Sequence, residues 1–151
     1  MTTTLATPKG LLTLSGAPLG TSNWIEITQD QVNKFADATG DHQWIHIDAQ
    51  RAKAGPFGGT IVHGYLTLAL AAVFMAEVLQ IENYFAVLNY GVNKVRFPAP
   101  LPVGAAVRGA ITLLNAHERD SGHLETTFGI RCETRGSDRP PCVAETVYLY
   151  R

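Results

Sequence analysis

Val62-His63-Gly64-Tyr65-Leu66-Thr67-Leu68-Ala69-Leu70-Ala71-Ala72-Val73-Phe74-Met75-Ala76-Glu77-Val78-Leu79-Gln80 is almost entirely apolar or small. Leu66, Leu68, Leu70, Val73, Phe74, Met75 and Val78, with four alanines between them, leave no polar face. Such a pattern predicts a helix buried on nearly every side rather than an amphipathic one, and its alanines allow close approach to a sheet. The longest run without Asp, Glu, Lys or Arg, Ala54 to Ala76, overlaps it, but Gly, Pro and His interrupt its first half. The apolar remainder falls short of the ~20 residues a membrane-spanning helix needs.

Downstream of this helix the hydrophobic period changes to two. Ala86 to Phe97, with an irregularity at Gly91, Ala106 to His117, His123 to Thr134 and Cys142 to Tyr150 all read as strands. Pro98-Ala99-Pro100-Leu101-Pro102-Val103-Gly104 cannot continue a ladder and ends the first of them. Four consecutive strands on short connections predict an antiparallel sheet. Upstream, Trp24 to Ile27 alternates like a short strand. Thr28 followed by Gln31 forms a capping box that starts a helix over about Gln29 to Ala38, and Gly40 ends it. Ala49 to Ala54 is a further helical turn, and Gly55-Pro56-Phe57-Gly58-Gly59 is a loop. An apolar helix beside one curved antiparallel sheet is an α+β arrangement in which each buries the other. That is the layout of a single hot-dog fold, a sheet wrapped around a long buried central helix.

The chain has 151 residues, which fits one domain over 1–151, with residues 1–18 a loosely patterned N-terminal segment. Hydrophobic residues make up 46% and charged ones 17%, a globular composition. A formal net charge of -1 gives no electrostatic footprint for nucleic acid. Met1 to Gly10 lacks the apolar core of a signal peptide, so the expectation is a cytoplasmic protein with no membrane association. Cys132 and Cys142 are too few for a disulfide scaffold and have no companions for a zinc site. They flank a hairpin loop symmetrically and read as reduced core thiols facing each other across two strands.

Chemistry concentrates in Asp41-His42-Gln43-Trp44-Ile45-His46-Ile47-Asp48 and in the Ile61-Val62-His63-Gly64 lead into the helix. A carboxylate and an imidazole sharing one water can take a proton from it and return a proton to a substrate carbon. Asp41 and His46 are five apart, on opposite faces of a strand and well separated on a helix, so they converge only if the chain bends between them. Trp44, Ile45 and Ile47 are apolar anchors for such a bend. By spacing alone the pair is a common accident; the plainer readings are a backbone-bonded Asp41 and a satisfied core or surface His46. His42 points away from the pair, and Asp48 caps the turn that begins at Ala49. Gly64 falls in the first turn of the apolar helix, where unpaired N–H groups and the positive end of the dipole collect, suited to a thioester oxygen gaining enolate charge. Alternatively, it only lets the helix start close to the sheet. His63 is either a donor in that site or a packing and capping residue.

Together, Asp41 to Asp48, Gly55-Pro56-Phe57 and Ile61-Val62-His63-Gly64 resemble the hydratase-2 motif of MaoC-like dehydratases, the (R)-specific enoyl-CoA hydratases. Phe35-Ala36-Asp37-Ala38-Thr39-Gly40 and Asn89-Tyr90-Gly91-Val92-Asn93-Lys94-Val95-Arg96-Phe97-Pro98 resemble the branch related to nodulation protein N. The similarity runs from about Leu19 to Val147. The resemblance implies a hot-dog homodimer joined sheet edge to sheet edge, which hydrates trans-2-enoyl-CoA to (3R)-3-hydroxyacyl-CoA. By position, Asp41 and His46 would activate the water and the Gly64 N–H would hold the thioester oxygen. Neither a metal nor a redox cofactor is implied, coenzyme A being part of the acyl-CoA substrate. Ala72 stands where family members often carry a serine on the central helix near the catalytic pair.

Lys94, Arg96 and Arg108 either reach the phosphates of coenzyme A or make up a solvated strand face. Trp44, Phe57 and Tyr65 either line the acyl pocket or belong to the core. Two rival functions use the same residues: a hot-dog acyl-CoA thioesterase, and a non-catalytic acyl-binding or nodulation-related module.

Overall fold

The computed structural model describes residues 2–151. In chain order it contains β1 (Thr3–Leu5), a 3-10 helix (Pro8–Thr13), β2 (Pro18–Thr21), β3 (Ile25–Glu26), α1 (Gln29–Thr39), α2 (Trp44–Ile47) and α3 (Ala49–Lys53). There follow α4 (Gly64–Ala69), α5 (Ala71–Val78), β4 (Leu79–Ile81), β5 (Val87–Arg96), β6 (Ala106–Glu118), β7 (Leu124–Thr134) and β8 (Val143–Tyr150). One sheet runs β2-β6-β7-β8-β5, with β3 also on β6, and its pairs are antiparallel. The α4–α5 column packs on it through Phe74 and Val78, both fully buried with Ile111, Leu113, Phe128 and Ile130 of the sheet. This is an α+β hot-dog fold.

Local signals explain α1. The Thr28 side chain accepts from the Gln31 N–H while the Gln31 side chain accepts from the Thr28 N–H, completing the capping box. At the other end Gly40 is left-handed, φ 80°, which a Cβ would disfavour. Asp48 accepts from the Arg51 N–H and so caps α3, as its position predicts.

Four expectations change. First, the central helix is not one buried rod. Its i to i−4 ladder continues past Leu70 (Leu70 N–H to Leu66 at 3.1 Å, Phe74 N–H to Leu70 at 3.0 Å), but it stops at Val78 and Leu79–Ile81 turns into strand. One side also stays open, with Tyr65, Ala72, Val73 and Ala76 exposed, because β5 does not close over it. Second, β5 does not pair with β6, its neighbour in sequence. It crosses the sheet and pairs with β8, from Val87–Tyr150 to Arg96–Val143, with register shifts around Gly91. Only β6, β7 and β8 form a meander. Third, the N-terminal segment is patterned by distant partners: β1 pairs in parallel with β4, and Leu11 of the 3-10 helix is fully buried. Met1 lies outside the described residues. Fourth, Ala72 is not beside the candidate dyad; it faces Asn89 and Tyr148 across the open side.

Cys132 and Cys142 are free, buried and opposite each other, the Cys132 N–H donating to the Cys142 carbonyl at 2.9 Å. No helix among the described residues is long and apolar enough to cross a membrane.

Candidate active site

The bend between Asp41 and His46 exists, and local hydrogen bonds make it. Asp41 follows the left-handed Gly40, its Oδ1 accepts from the Gln43 N–H at 3.4 Å, and α2 then turns the chain so that the His46 N–H donates to Gln43 at 3.0 Å. One carboxylate oxygen of Asp41 and one ring nitrogen each of His46 and His63 lie within 4.8 Å of one another. Trp44 anchors the bend from outside: the Arg51 guanidinium lies 4.4 Å from its ring, and a Cβ at Gly55 would come within 3.0 Å of it.

His46 is held from both sides. Its Nδ1 lies 2.7 Å from the Ile61 carbonyl, which can only accept, so Nδ1 carries the proton and Nε2 presents a lone pair. The Ile61 N–H donates back to the Ile45 carbonyl at 3.0 Å. Segment 60–62 is in turn fixed to the proline-rich stretch, with Val62 N–H donating to Leu101 at 2.8 Å and Val103 N–H to Thr60 at 3.0 Å. Burial lowers the pKa of His46 from the ordinary 6.5, helped by the neighbouring His63 and opposed by the Ile61 hydrogen bond and by Asp41. His42, in contrast, is exposed and turned to Asp37 at 3.0 Å, which raises its pKa.

His46 and Gly64 line one cavity of about 270 Å³ together with Phe57, Ile61, Val62, Thr67, Phe97, Ala99, Pro100, Leu101 and Pro141. Gly64 opens α4 with no side-chain cap, so its N–H has no helical acceptor. Absence of a side chain matters as well, since a Cβ would lie 3.1 Å from the Phe97 ring. Both readings of this glycine therefore stand together: a free donor, and a close approach. A mostly apolar wall with one imidazole, one free N–H and one hydroxyl can hold an acyl chain and bring a water to the carbon one removed from the carbon that bears its carbonyl.

The other sequence candidates separate. Phe57 is on the cavity wall, and Tyr65, 71% exposed, stands at its rim edge-on to Phe97. Trp44 is not on the wall, because it packs on the Arg51–Gly55 turn. Nor is His63: it is 2% exposed, stacked on His46, which is the packing alternative. Arg108 pairs with Glu133 at 2.8 Å and lies over Trp24, a strand-face role. Lys94 is 3.6 Å from Glu145, and Arg96 donates to the Val95 carbonyl; both remain exposed on β5 just before Phe97.

Three participants escape sequence reading. Thr67, buried on the cavity wall, has its hydroxyl turned to the His63 carbonyl at 3.3 Å. Its signal was available, one hydroxyl three residues after Gly64 on the same helical face. Gln29 and Thr60 act through a relay in which Thr60 Oγ1 donates to Gln29 Oε1 and Gln29 Nε2 donates to the His46 carbonyl, each at 2.7 Å. Nothing local to their sequence marks that meeting.

A hot-dog sheet carrying a bent Asp-His segment and a helix-start glycine is the arrangement that the resemblance to the MaoC-like dehydratases implies. The chain belongs to the MaoC-like domain family, which it matches over residues 12–130. It is 47% identical over 140 residues to 3-hydroxyacyl-thioester dehydratase Z of Mycobacterium tuberculosis, covering 93% of each chain. To nodulation protein N of Rhizobium leguminosarum it is 40% identical over 136 residues, covering 89% of this chain and 84% of the relative, so it stands with the nodulation-protein-N-like branch. The fold also matches an R-hydratase, PhaJ1, from Pseudomonas aeruginosa with a TM-score of 0.65 at 21% identity, over 87% of this chain and 80% of the other.

Proposed function

We propose that the protein is an (R)-specific enoyl-thioester hydratase and dehydratase that interconverts trans-2-enoyl-CoA and (3R)-3-hydroxyacyl-CoA. The observation that carries this reading is the placing of the His46 ring and the free Gly64 N–H on one apolar cavity, with the Asp41 carboxylate within 4.8 Å of His46. The dehydratase name of the mycobacterial relative supports the reaction type.

In the hydration direction the thioester oxygen accepts from the Gly64 N–H. His46 Nε2 takes a proton from a water oriented by Asp41 as the water oxygen bonds to C3. The C2–C3 π electrons move into an enolate whose oxygen the Gly64 N–H stabilises. His46 then returns its proton to C2, so one water is added in full and both residues are restored. Dehydration is the reverse. No step calls for a metal or a redox cofactor. Phe57 and the prolines shape the acyl site, while Lys94 and Arg96, exposed beside Phe97, are the cations offered to the coenzyme A phosphates.

The reading includes a homodimer. β5 is an edge strand whose ladder is unpaired on one side, with Leu88, Tyr90 and Val92 exposed, and it continues into the open side of α4–α5. An apolar edge of that kind calls for a second copy. The setting inferred is cytoplasmic, which suits two free thiols.

The deciding experiment supplies trans-2-enoyl-CoA and follows both enoyl absorbance and free thiol, with chiral analysis of the product. Loss of absorbance without thiol release, giving the 3R alcohol, is the expected result. Thiol release from saturated acyl-CoA would instead make it a thioesterase, and no turnover of either would leave a binding module.

A further inference from the structure

The cluster contains an imidazole that the hydration steps do not use. His63 is 2% exposed, so it does not meet substrate. Its Nε2 lies 3.0 Å from the Asp41 carbonyl, which can only accept, and so carries a proton; the same nitrogen is 4.0 Å from Asp41 Oδ2. Its ring stacks on His46 with centroids 3.9 Å apart and planes at 25°, and meets Phe35 at 4.9 Å. Its Nδ1 is buried without a hydrogen-bond partner among the described residues.

That orphaned nitrogen is informative. Burying an unpaired polar atom costs roughly 1–3 kcal/mol, a penalty that an apolar ring in the same space would avoid. If His63 only filled volume, phenylalanine would fill it better. What the histidine adds is the N–H that reaches Asp41. That tie is the shortest hydrogen bond given to Asp41, whose other two, from its N–H to Thr39 Oγ1 and to its Oδ1 from the Gln43 N–H, are both 3.4 Å. Asp41 is otherwise an exposed residue just past a helix end.

We propose that His63 is the positioning residue of the dyad: its N–H fixes the main chain of Asp41 while its ring face fixes His46, so that carboxylate and imidazole converge on one water. Chain connectivity extends the effect. The peptide that joins His63 to Gly64 supplies the Gly64 N–H, and its carbonyl accepts from the Thr67 N–H at 3.1 Å. One residue thereby sets the dyad in register with the oxyanion donor. The inference rests on the hydration reading of Asp41, His46 and Gly64.

Two variants separate its parts. His63→Phe keeps a flat ring against His46 and removes the N–H; His63→Gln keeps a donor for the Asp41 carbonyl and removes the ring. Expected for His63→Phe is a fall in kcat of roughly ten- to hundred-fold, as for small misplacements of reacting groups. KM should be unchanged, and the thermal midpoint should not fall, since the orphaned Nδ1 is gone. His63→Gln should recover part of that kcat. By proton NMR, the titration midpoint of His46 should rise in His63→Phe, since the neighbouring imidazole holds it down. Wild-type kcat in His63→Phe, or a change in KM alone, would overturn the proposal. If the wild type itself turns over no enoyl thioester, the hydration reading fails separately, and an unchanged His46 midpoint would still overturn the positioning role.

Discussion

Gln29 Nε2 donates a 2.7 Å hydrogen bond to the main-chain carbonyl of His46, tying the first turn of α1 to the turn that carries the proposed base. Its Oε1 accepts from Thr60 at 2.7 Å, so one half-buried amide joins α1, α2 and the segment leading to Gly64. Gln29→Ala should cost about 1–2 kcal/mol of stability, one or two hydrogen bonds' worth. It should also cost about tenfold in kcat through loosened geometry. Gln29→Glu should be worse than alanine, because it turns a carboxylate oxygen on the His46 carbonyl. Urea unfolding and initial rates check both, and a wild-type Gln29→Glu would show that the tie has no part in the site.

Asp41→Asn and His46→Gln should each lower turnover by about 100- to 10,000-fold, the range for lost acid-base groups. Stability should change little for Asp41→Asn, because that side chain is about half exposed. Residues that act on one water act as a unit, so the double variant should be scarcely slower than the worse single one. Single-variant losses that multiply in the double would argue against a shared water.

Burial places the His46 pKa below its ordinary 6.5. The base is therefore already unprotonated at neutral pH, and the acid limb of kcat/KM should have its midpoint below 6.5. Stability follows the same sign. Between the lowered folded value and the ordinary unfolded one, the unfolded chain binds more protons, so stability rises with pH. His46's contribution is complete above about 6.5 and is lost as the pH falls from there toward the folded value. Asp41 raises the His46 pKa, so Asp41→Asn should move the residual acid limb lower still, whereas His42→Ala, exposed and turned to Asp37, should not move it. A wild-type midpoint above 6.5 would contradict the assignment of His46 as the base.

How much of this was legible in the sequence depends on the range of the interactions. Thr28, Gln31 and Gly40 act within a few residues of one another, and α1 follows from them. Alternation marks β5 to β8 for the same reason, and even the irregularity at Gly91 is local. Strand partnership is not local: nothing in Val87 to Arg96 says that its partner is β8 rather than the next strand. Thr3–Leu5 needs Leu79–Ile81, which periodicity alone assigns to the end of the helix. In the site, residue types and motif spacing identify Asp41, His46 and Gly64 as candidates. The relay through Gln29 and Thr60 forms only when three separate segments meet, and His63 turns inward only because Phe35 and His46 pack against it.

Gly64 allows a test that separates its N–H from its small size. His63, with φ −56° and ψ 134°, already has the extended conformation required before a proline, and Gly64 is the first residue of α4, where proline is tolerated. Gly64→Pro therefore removes the N–H while preserving the helix start. Gly64→Ala is the steric control, since both place a Cβ about 3.1 Å from the Phe97 ring, which is 42% exposed and able to move. If the N–H holds the enolate oxygen, proline should be slower than alanine by about 100-fold in kcat, the usual loss for one such donor. Equal rates for the two variants would reduce Gly64 to a packing role.

The edge of β5 should govern assembly. Leu88 and Val92 are 41% and 47% exposed on a strand with one unpaired side, and Phe97, two residues after Val95, reaches from that edge to the cavity that His46 and Gly64 line. Charges on an edge strand block edge-to-edge pairing. Leu88→Lys with Val92→Lys should shift the protein from dimer to monomer in sedimentation velocity while the far-ultraviolet circular dichroism is preserved. Since β5 ends beside the cavity wall, activity should fall with the dimer fraction as the protein is diluted. Dimers that persist in the double variant would place the interface elsewhere, and a fully active monomer would show that the cavity is complete within one chain.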